Sequence, residues 1–358
     1  MKDKERSALE TIISSPSSPW MDGTGSLADV VISSRVRLAR NLRDVPFPHR
    51  LEETQAKEVQ ARIFGAISEL NAKGTWGELL IIDLGSVSPL DRLVLVEKHL
   101  MSPQHAEPGH GKGLATRSDE KVAIMVNEED HLRIQCLYSG LELDEAWITA
   151  SGTDDLLDEK LGFAYDETAG FLTACPTNAG TGLRASVMVH LPALAIGDEV
   201  SRVLSAVNKL GLVVRGIYGE GTEAKGNVFQ ISNQITLGQT EKEIIENLSL
   251  VAKQVVAEEK KYRDSLLKTK RSEVEDRIFR AWGILTNARK MTSSEAWQRW
   301  SDVRLGIELD IMPGIDIRTI NEILVISQPN FVQKTVGKAL ASEERDILRA
   351  GLIRKHLR

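Results

Sequence analysis

Three observations predict an α+β chain. Between residues 78 and 233, short runs rich in Val, Ile and Leu are bounded by Gly, Pro, Asn and Asp, the pattern of strands. Apolar residues at helical spacing interrupt them at 55–72 and again after Asp198. From Thr240 onward the spacing is helical alone. A chain of 358 residues can bury a large core and form two domains. The expected division is a flexible arm over 1–28, a mixed domain over 29–257 and a helical domain over 258–358. The boundary is expected in the charged stretch EEKKYRDSLLKTKRS at 258–272.

Residues 1–28 are polar and rich in Ser, Pro and Gly, and are expected to be loose. Val59, Ile63 and Ile67 follow i, i+4, i+8 and predict a helix over 55–72. ELLIIDL (78–84) reads as a strand. Ser88-Pro89 opens a helix running toward His99, with Ser as N-cap and Pro in the first turn. SPQHAEPGHGKGLATRS (102–118) is expected to be a mobile loop. KVAIMVN (121–127), LRIQCLY (132–138), RASVMVHL (184–191), LVVRGIY (212–218) and NVFQISN (227–233) read as strands. A helix from Asp198 carries Val200, Val203, Leu204, Val207 and Leu210 and ends at Gly211. Beyond it, Thr240/Glu243 and Ser272/Glu275 fit capping boxes. Ile278, Trp282 and Leu285 mark an apolar face, and Trp297 and Trp300 read as core. Pro313-Gly314 breaks the helical run, and Ser342 is placed as the cap of a last helix.

Composition removes several function classes. Hydrophobic content is 42% and charged content 27%, ordinary for a globular protein. A net charge of −6 gives no general electrostatic case for nucleic acid. No apolar run approaches the ~18 residues that span a bilayer, and no signal-peptide h-region opens the chain. Cys136 and Cys175 are the only cysteines, which predicts no disulfide framework and fits a reducing cytoplasm. No CxxC or HxxxH spacing suggests a structural metal site.

Four segments carry chemistry. CPTNAGTGLRASVMVHL (175–191) joins a thiol, a Gly-containing turn and Arg184. Gly180 and Gly182 are expected to let backbone N–H groups approach an anion, and Arg184 offers a planar fork suited to phosphate. In SSRVRLAR (33–40), Arg35 and Arg37 share one face of an extended segment. VNEEDHLRI (126–134) sets carboxylates ahead of Arg133, and RGIYGEGTE (215–223) sets Arg215 ahead of a Gly-flanked Glu220. Each arginine alone is read as well as a solvated surface residue. Together, Arg35, Arg37, Arg133, Arg184 and Arg215 can hold a polyphosphate without a GxxxxGK[ST] loop, which the chain lacks.

SSRVR, NEEDHLR, CPTNAGTGLRASV and RGIYGEGTEA resemble, in this order, the nucleotide and guanidino signatures of the phosphagen kinase family. The resemblance implies an antiparallel sheet surrounded by helices and transfer of the γ-phosphoryl of MgATP to a guanidinium nitrogen. It implies nucleotide contacts from Ser33, Ser34, Arg35, Val36 and Arg37, from His99 and Arg133, from Arg184, Ala185, Ser186, Val187 and Met188, and from Arg215, Gly216, Ile217, Tyr218 and Gly219. Mg²⁺ is expected to be held through ATP, with no protein metal site. Metabolic members carry a helical domain ahead of SSRVR, where this chain has 32 residues, so an open site is expected. RDILRA (345–350) has no counterpart in those members. The combination resembles the bacterial protein-arginine kinases of the McsB type. That implies homodimers, a zinc-binding activator protein, a heat-shock repressor and unfolded proteins as substrates, and delivery to a Clp unfoldase–protease.

A guanidinium is a poor nucleophile, with a pKa above about 12 and a delocalised charge. Carboxylates can grip and polarise it. The resemblance puts Glu129 and Glu220 in that role, one taking the proton as the N–P bond forms. Glu128 and Asp130 are expected to point away from Glu129 as a solvated edge. His99 is open to two readings, a nucleotide contact or a satisfied helix-end histidine. Cys175 is expected to have a lowered pKa and, by resemblance, to orient the guanidinium. Cys136 is expected to be buried and inert. Arg345 and Arg349 share a helix face, four residues apart, with Asp346 beside them. As residues they read as a charged face; the resemblance makes them an allosteric phosphoarginine pocket. Two other functions stay open: a kinase of free arginine, and a non-catalytic phosphoarginine-binding adaptor.

Overall fold

A computed structural model describes residues 3–74, 76–216 and 225–358. The N-terminal part contains α1 (Asp3–Ser14), β1 (Val31–Arg40), α2 (Glu53–Lys73), β2 (Leu79–Asp83), α3 (Pro89–Glu97) and α4 (Pro103–Ala106). β3 (Gly113–Arg117), β4 (Val122–Val126), β5 (Leu132–Ser139) and α5 (Leu143–Leu161) follow. A small hairpin, β6 (Tyr165–Asp166) and β7 (Gly170–Phe171), leads to β8 (Leu183–His190), α6 (Pro192–Ile196), α7 (Val200–Lys209), β9 (Leu212–Arg215) and β10 (Val228–Asn233). The rest is helical: α8 (Glu241–Thr269), α9 (Arg271–Asn287), α10 (Ser293–Glu308), α11 (Ile317–Ile326), α12 (Pro329–Lys334) and α13 (Ser342–His356).

Eight strands form one sheet in the order β2-β3-β4-β5-β1-β8-β10-β9, and every pairing is antiparallel. Period-two alternation gives the sheet two unlike faces. Val36, Leu38, Ile134, Cys136, Ala185, Val187 and Ile231 are buried on one face, in a core completed by α2, α5 and α8. Arg35, Arg37, Arg133, Gln135, Arg184, Ser186, Arg215 and Gln230 belong to the other. The register sets Arg37 opposite both Gln135 and Arg184, and Arg215 opposite Gln230. A second core joins α1 to α9–α13 and reaches Leu137, Met188 and Val228 at the border of that polar face.

Several expectations are corrected. Residues 3–14 are a helix rather than a flexible arm, because Leu9, Ile12 and Ile13 form an i, i+3, i+4 apolar stripe that is buried. Trp20 and Met21 are buried as well, and the Trp20 indole N–H donates to Lys98 O. The region 102–118 is only partly a loop: Gly113–Arg117 is an inner strand between β2 and β4. Position 257/258 itself lies inside α8, where Val255, Val256 and the buried Glu259–Arg263 pair keep one inward face, and the break between α8 and α9 at Lys270 falls within the charged stretch 258–272. Ser272 does not cap α9, since the helix already begins at Arg271 with Lys270 as N-cap. Ser342 is likewise inside α13, whose N-cap Ala341 has its N–H bound to Glu344.

The helical region is tied to the sheet domain at α3. Glu97, buried, accepts hydrogen bonds from Asn330 N (2.9 Å), Asn330 Nδ2 (2.7 Å) and Phe331 N (2.7 Å) at the first turn of α12. Burial pushes its carboxyl up to about 7 against the pull of those N–H groups.

Candidate active site

A cleft of about 630 Å³ lies over the polar face and is lined by all five arginines, with His99, Glu129, Cys175 and Gln230 among its other walls. Four strands, β1, β5, β8 and β9, deliver the guanidinium groups. Arg35 donates to Gln230 Oε1 at 3.1 Å. Arg184 reaches Asn178 Oδ1 (3.3 Å), Thr177 Oγ1 (3.2 Å) and Asn233 O (3.2 Å), which fixes the turn after Cys175 to the sheet. Arg133 lies between Glu128 (2.5 Å) and Glu129 (2.9 Å).

So many cations on one face repel one another. Burial, then Arg133, pushes the Arg35 guanidinium down to about 10. Arg37 is held well below its ordinary value by burial, then by Arg35, Arg133 and Arg184, against the attraction of Glu128. Its Nε is buried without a hydrogen-bond partner. A polyanion in the cleft supplies what this arrangement lacks, acceptors and negative charge. The cation set therefore fits a nucleotide's phosphates.

His99 sits at the mouth of this face with a left-handed backbone (φ 62). Its carbonyl accepts from Gln135 Nε2 (2.8 Å), and its ring packs edge-on to Trp20 at 5.0 Å. Burial and Arg35 push its imidazole down to about 3, so it is neutral at physiological pH. It lines the cleft as well as ending a helix, so the two sequence readings are compatible.

Glu129 and Cys175 line the same cleft. The Cys175 thiol lies 3.0 Å from Thr177 Oγ1. Cys136 is wholly buried on the apolar face, and burial pushes its thiol up to about 12. Glu220, Ile217, Tyr218 and Gly219 lie outside the described residues; Gly216 is described, buried at the end of β9.

Some named residues do not reach the cleft with their side chains. Val36, Ala185 and Val187 point into the opposite core. The buried Ser34 hydroxyl bonds Gly140 O (2.8 Å) and Glu142 N (3.0 Å). Ser33, Ser186 and Met188 extend the polar face past His99 instead. The glycine pair also serves internal packing. A Cβ on Gly182 (φ 65) would meet Arg40 Nη1 at 2.5 Å, and one on Gly180 (φ 99) would meet Thr236 O at 2.5 Å.

Glu128 and Asp130 are not a solvated edge. Residues 127–130 form a turn between β4 and β5 rather than a strand, so alternation does not apply to them. Glu128 is buried against Arg133 and accepts from the Ser102 hydroxyl. Burial pushes it up, but Arg133, Ser102, His105 and Arg37 outweigh that and hold it below its ordinary value. Asp130, fully buried, accepts from Asn41 Nδ2 (2.6 Å) and Ala174 N (2.7 Å) and so holds the segment that leads to Cys175. Sequence reasoning also missed Gln135, Gln230 and Asn178. For the two glutamines the signal was their register beside the arginines, which needs the strand pairing; Asn178 sits in the turn after Cys175 and has no such signal.

Arg349 on α13 is buried. It donates to Ser327 O (2.6 Å), Met291 O (2.8 Å) and Asp346 Oδ1 (2.5 Å). Arg345 is half-buried and donates to Leu340 O (2.8 Å).

Residues 58–262 match the family described as ATP:guanido phosphotransferase, C-terminal catalytic domain. Residues 271–358 match the one described as Protein-arginine kinase McsB C-terminal domain. The chain is 50% identical over 347 residues to a protein-arginine kinase of Pelotomaculum thermopropionicum, covering 97% of this chain and 98% of that one. It is 47% identical over 350 residues to the protein-arginine kinase of Bacillus subtilis, covering 98% and 96%. Among solved structures, lombricine kinase aligns with a TM-score of 0.57 at 25% identity, over 67% of this chain and 68% of that one. A duplicated taurocyamine kinase from Schistosoma mansoni with bound transition-state-analog components aligns with a TM-score of 0.59 at 26% identity, over 69% and 35%.

Proposed function

The chain belongs to the protein-arginine kinase family of guanidino phosphotransferases, and from that premise we propose that it transfers the γ-phosphoryl group of ATP to arginine side chains of proteins. The observation that carries this reading is the cluster of five arginines on one sheet face, with Glu129 and Cys175 in the same cleft. Arg35, Arg37, Arg133, Arg184 and Arg215 hold the phosphates in line with the acceptor. Mg²⁺ is carried on those phosphates, and when bound it neutralises their developing charge. Glu129, with Glu220, grips the substrate guanidinium. A guanidino nitrogen attacks the γ-phosphorus, the bond to the β,γ-bridging oxygen breaks, and ADP leaves. The nitrogen's proton passes to a carboxylate, Glu129 or Glu220. Cys175 orients the guanidinium.

The same reading extends to the protein's context. Substrates include a heat-shock repressor and unfolded proteins, and the mark directs them to a Clp unfoldase–protease. The enzyme works as a cytoplasmic homodimer with a zinc-binding activator. No helix among the described residues is long and apolar enough to cross a membrane. Arg345, Asp346 and Arg349 form a second site for phosphoarginine, which raises activity.

The test is mass spectrometry of a mixed protein substrate after incubation with MgATP, beside an assay on free arginine. Phosphoarginine in the proteins is expected, and turnover of free arginine alone would refute it. Glu129→Gln should lower the protein signal at least ~100-fold by removing an ionised acceptor at the reacting group, while MgATP affinity stays unchanged.

A further inference from the structure

We propose that Leu172, Ile235 and Leu237, beside the thiol end of the cleft, receive the apolar side chains that flank the target arginine in an extended polypeptide substrate. This inference rests on the protein-substrate reading above and names the class of polypeptide preferred.

The placement comes from three segments hydrogen-bonded side by side. Phe171 N donates to Gly180 O (2.8 Å), Thr181 N to Thr236 O (3.2 Å), and Thr236 Oγ1 to Thr177 O (2.9 Å). Leu172 precedes Cys175 by three residues, and Ile235 follows Gln234; Cys175 and Gln234 both line the cleft. The surface is therefore continuous with the wall where the guanidinium is gripped.

Alternation along 235–237 turns Thr236 inward, where it is 2% exposed, and leaves Ile235 and Leu237 53% and 57% exposed. Leu172, 37% exposed, lies on the neighbouring segment. Side chains of this kind are ordinarily buried, and three on one rim of a functional cleft mark a contact surface. Their backbone is already pinned by the hydrogen bonds above, so little ordering is needed when a partner arrives.

The position selects the occupant. An arginine that enters the cleft from a polypeptide carries its neighbours with it. In an extended chain, residues two positions away lie about 7 Å along the backbone, which brings them over this rim. Free arginine has no such neighbours, so the rim contributes nothing to its binding. Apolar residues beside an accessible arginine are characteristic of unfolded chains, because folding buries them.

The test uses the full chain with MgATP and two extended peptides, each with one arginine, flanked at both second neighbours by Leu or by Ser. The wild type should show a KM for the Leu peptide about tenfold lower than for the Ser peptide, the low end for discrimination by apolar contacts. The Ile235→Ser/Leu237→Ser variant changes only exposed side chains. It should erase that preference while leaving KM for MgATP and turnover of the Ser peptide unchanged. Equal KM values in the wild type, or a preference that survives in the variant, would overturn the proposal. A fall in mass by light scattering with the preference intact would assign the surface to a second copy of the chain and also overturn it. Phosphorylation of free arginine but of neither peptide would instead overturn the protein-substrate reading itself.

Discussion

Arg37 and Arg40 stand three residues apart on β1 and face opposite sides of the sheet. Arg40 is 1% exposed and its donors are occupied. Asp154 Oδ2 takes two of its N–H groups (3.0 and 2.8 Å), Ala39 O and Thr181 O accept from Nη1, and the guanidinium lies 3.5 Å from the Phe171 ring centroid. Arg37 is half-buried among like charges, with its Nε atom buried and unpartnered. The first arginine is complete within the fold. The second needs a ligand that the chain does not contain. Buried arginine alone therefore says little about function; the occupancy of its donors separates a structural role from a binding one.

This contrast breaks first on stability. Arg40→Met leaves Asp154 uncompensated inside the protein and should cost about 3–5 kcal/mol of unfolding free energy, read by urea denaturation. A loss no larger than that of a surface substitution would contradict the structural assignment. Arg349 lies between the two, because its Nε and Nη1 are bonded within the fold. Arg349→Met should destabilise by about 3 kcal/mol, since it strands two carbonyls and Asp346. Arg345→Ala should stay within about 0.5 kcal/mol yet abolish any stimulation by added phosphoarginine. Stimulation that persists in Arg345→Ala would remove that residue from the second site.

A pH-dependent effect concerns Glu97, whose carboxyl is raised from about 4.5 to about 7. The folded state then binds an extra proton between those values. Unfolding free energy should fall as pH rises through that window, by up to about 1.4 kcal/mol per unit. Glu97→Gln should flatten the slope in a pH series of urea melts, and an unchanged slope would assign the dependence to other groups.

The arginine cradle was legible in the sequence because strand alternation is a local rule. Arg35 and Arg37 had to share a face whatever their neighbours were. Most strands were legible for the same reason, though β3 was not, and Trp297 and Trp300 were legible as core by their aromatic bulk. What failed depended on context. Alternation was applied to Glu128 and Asp130, but they lie in a turn, so both carboxylates are buried. The buried stripe Leu9, Ile12, Ile13 was masked by the polar, Ser-rich average of its segment. The Arg40–Asp154 pair spans 114 positions in the chain and has no local signature.

The central claim is that the cluster around Arg37 is built for a polyphosphate. It is tested most directly by urea denaturation of the wild type and Arg37→Met across a titration with inorganic tripolyphosphate. Without anion, Arg37→Met should be at least as stable as the wild type, because it removes one half-buried cation from a set of like charges. At anion concentrations about 100-fold above Kd, the wild type should gain about 2.7 kcal/mol, and the variant at the same concentration much less. A variant that is less stable without anion, or that gains as much as the wild type, would contradict the account.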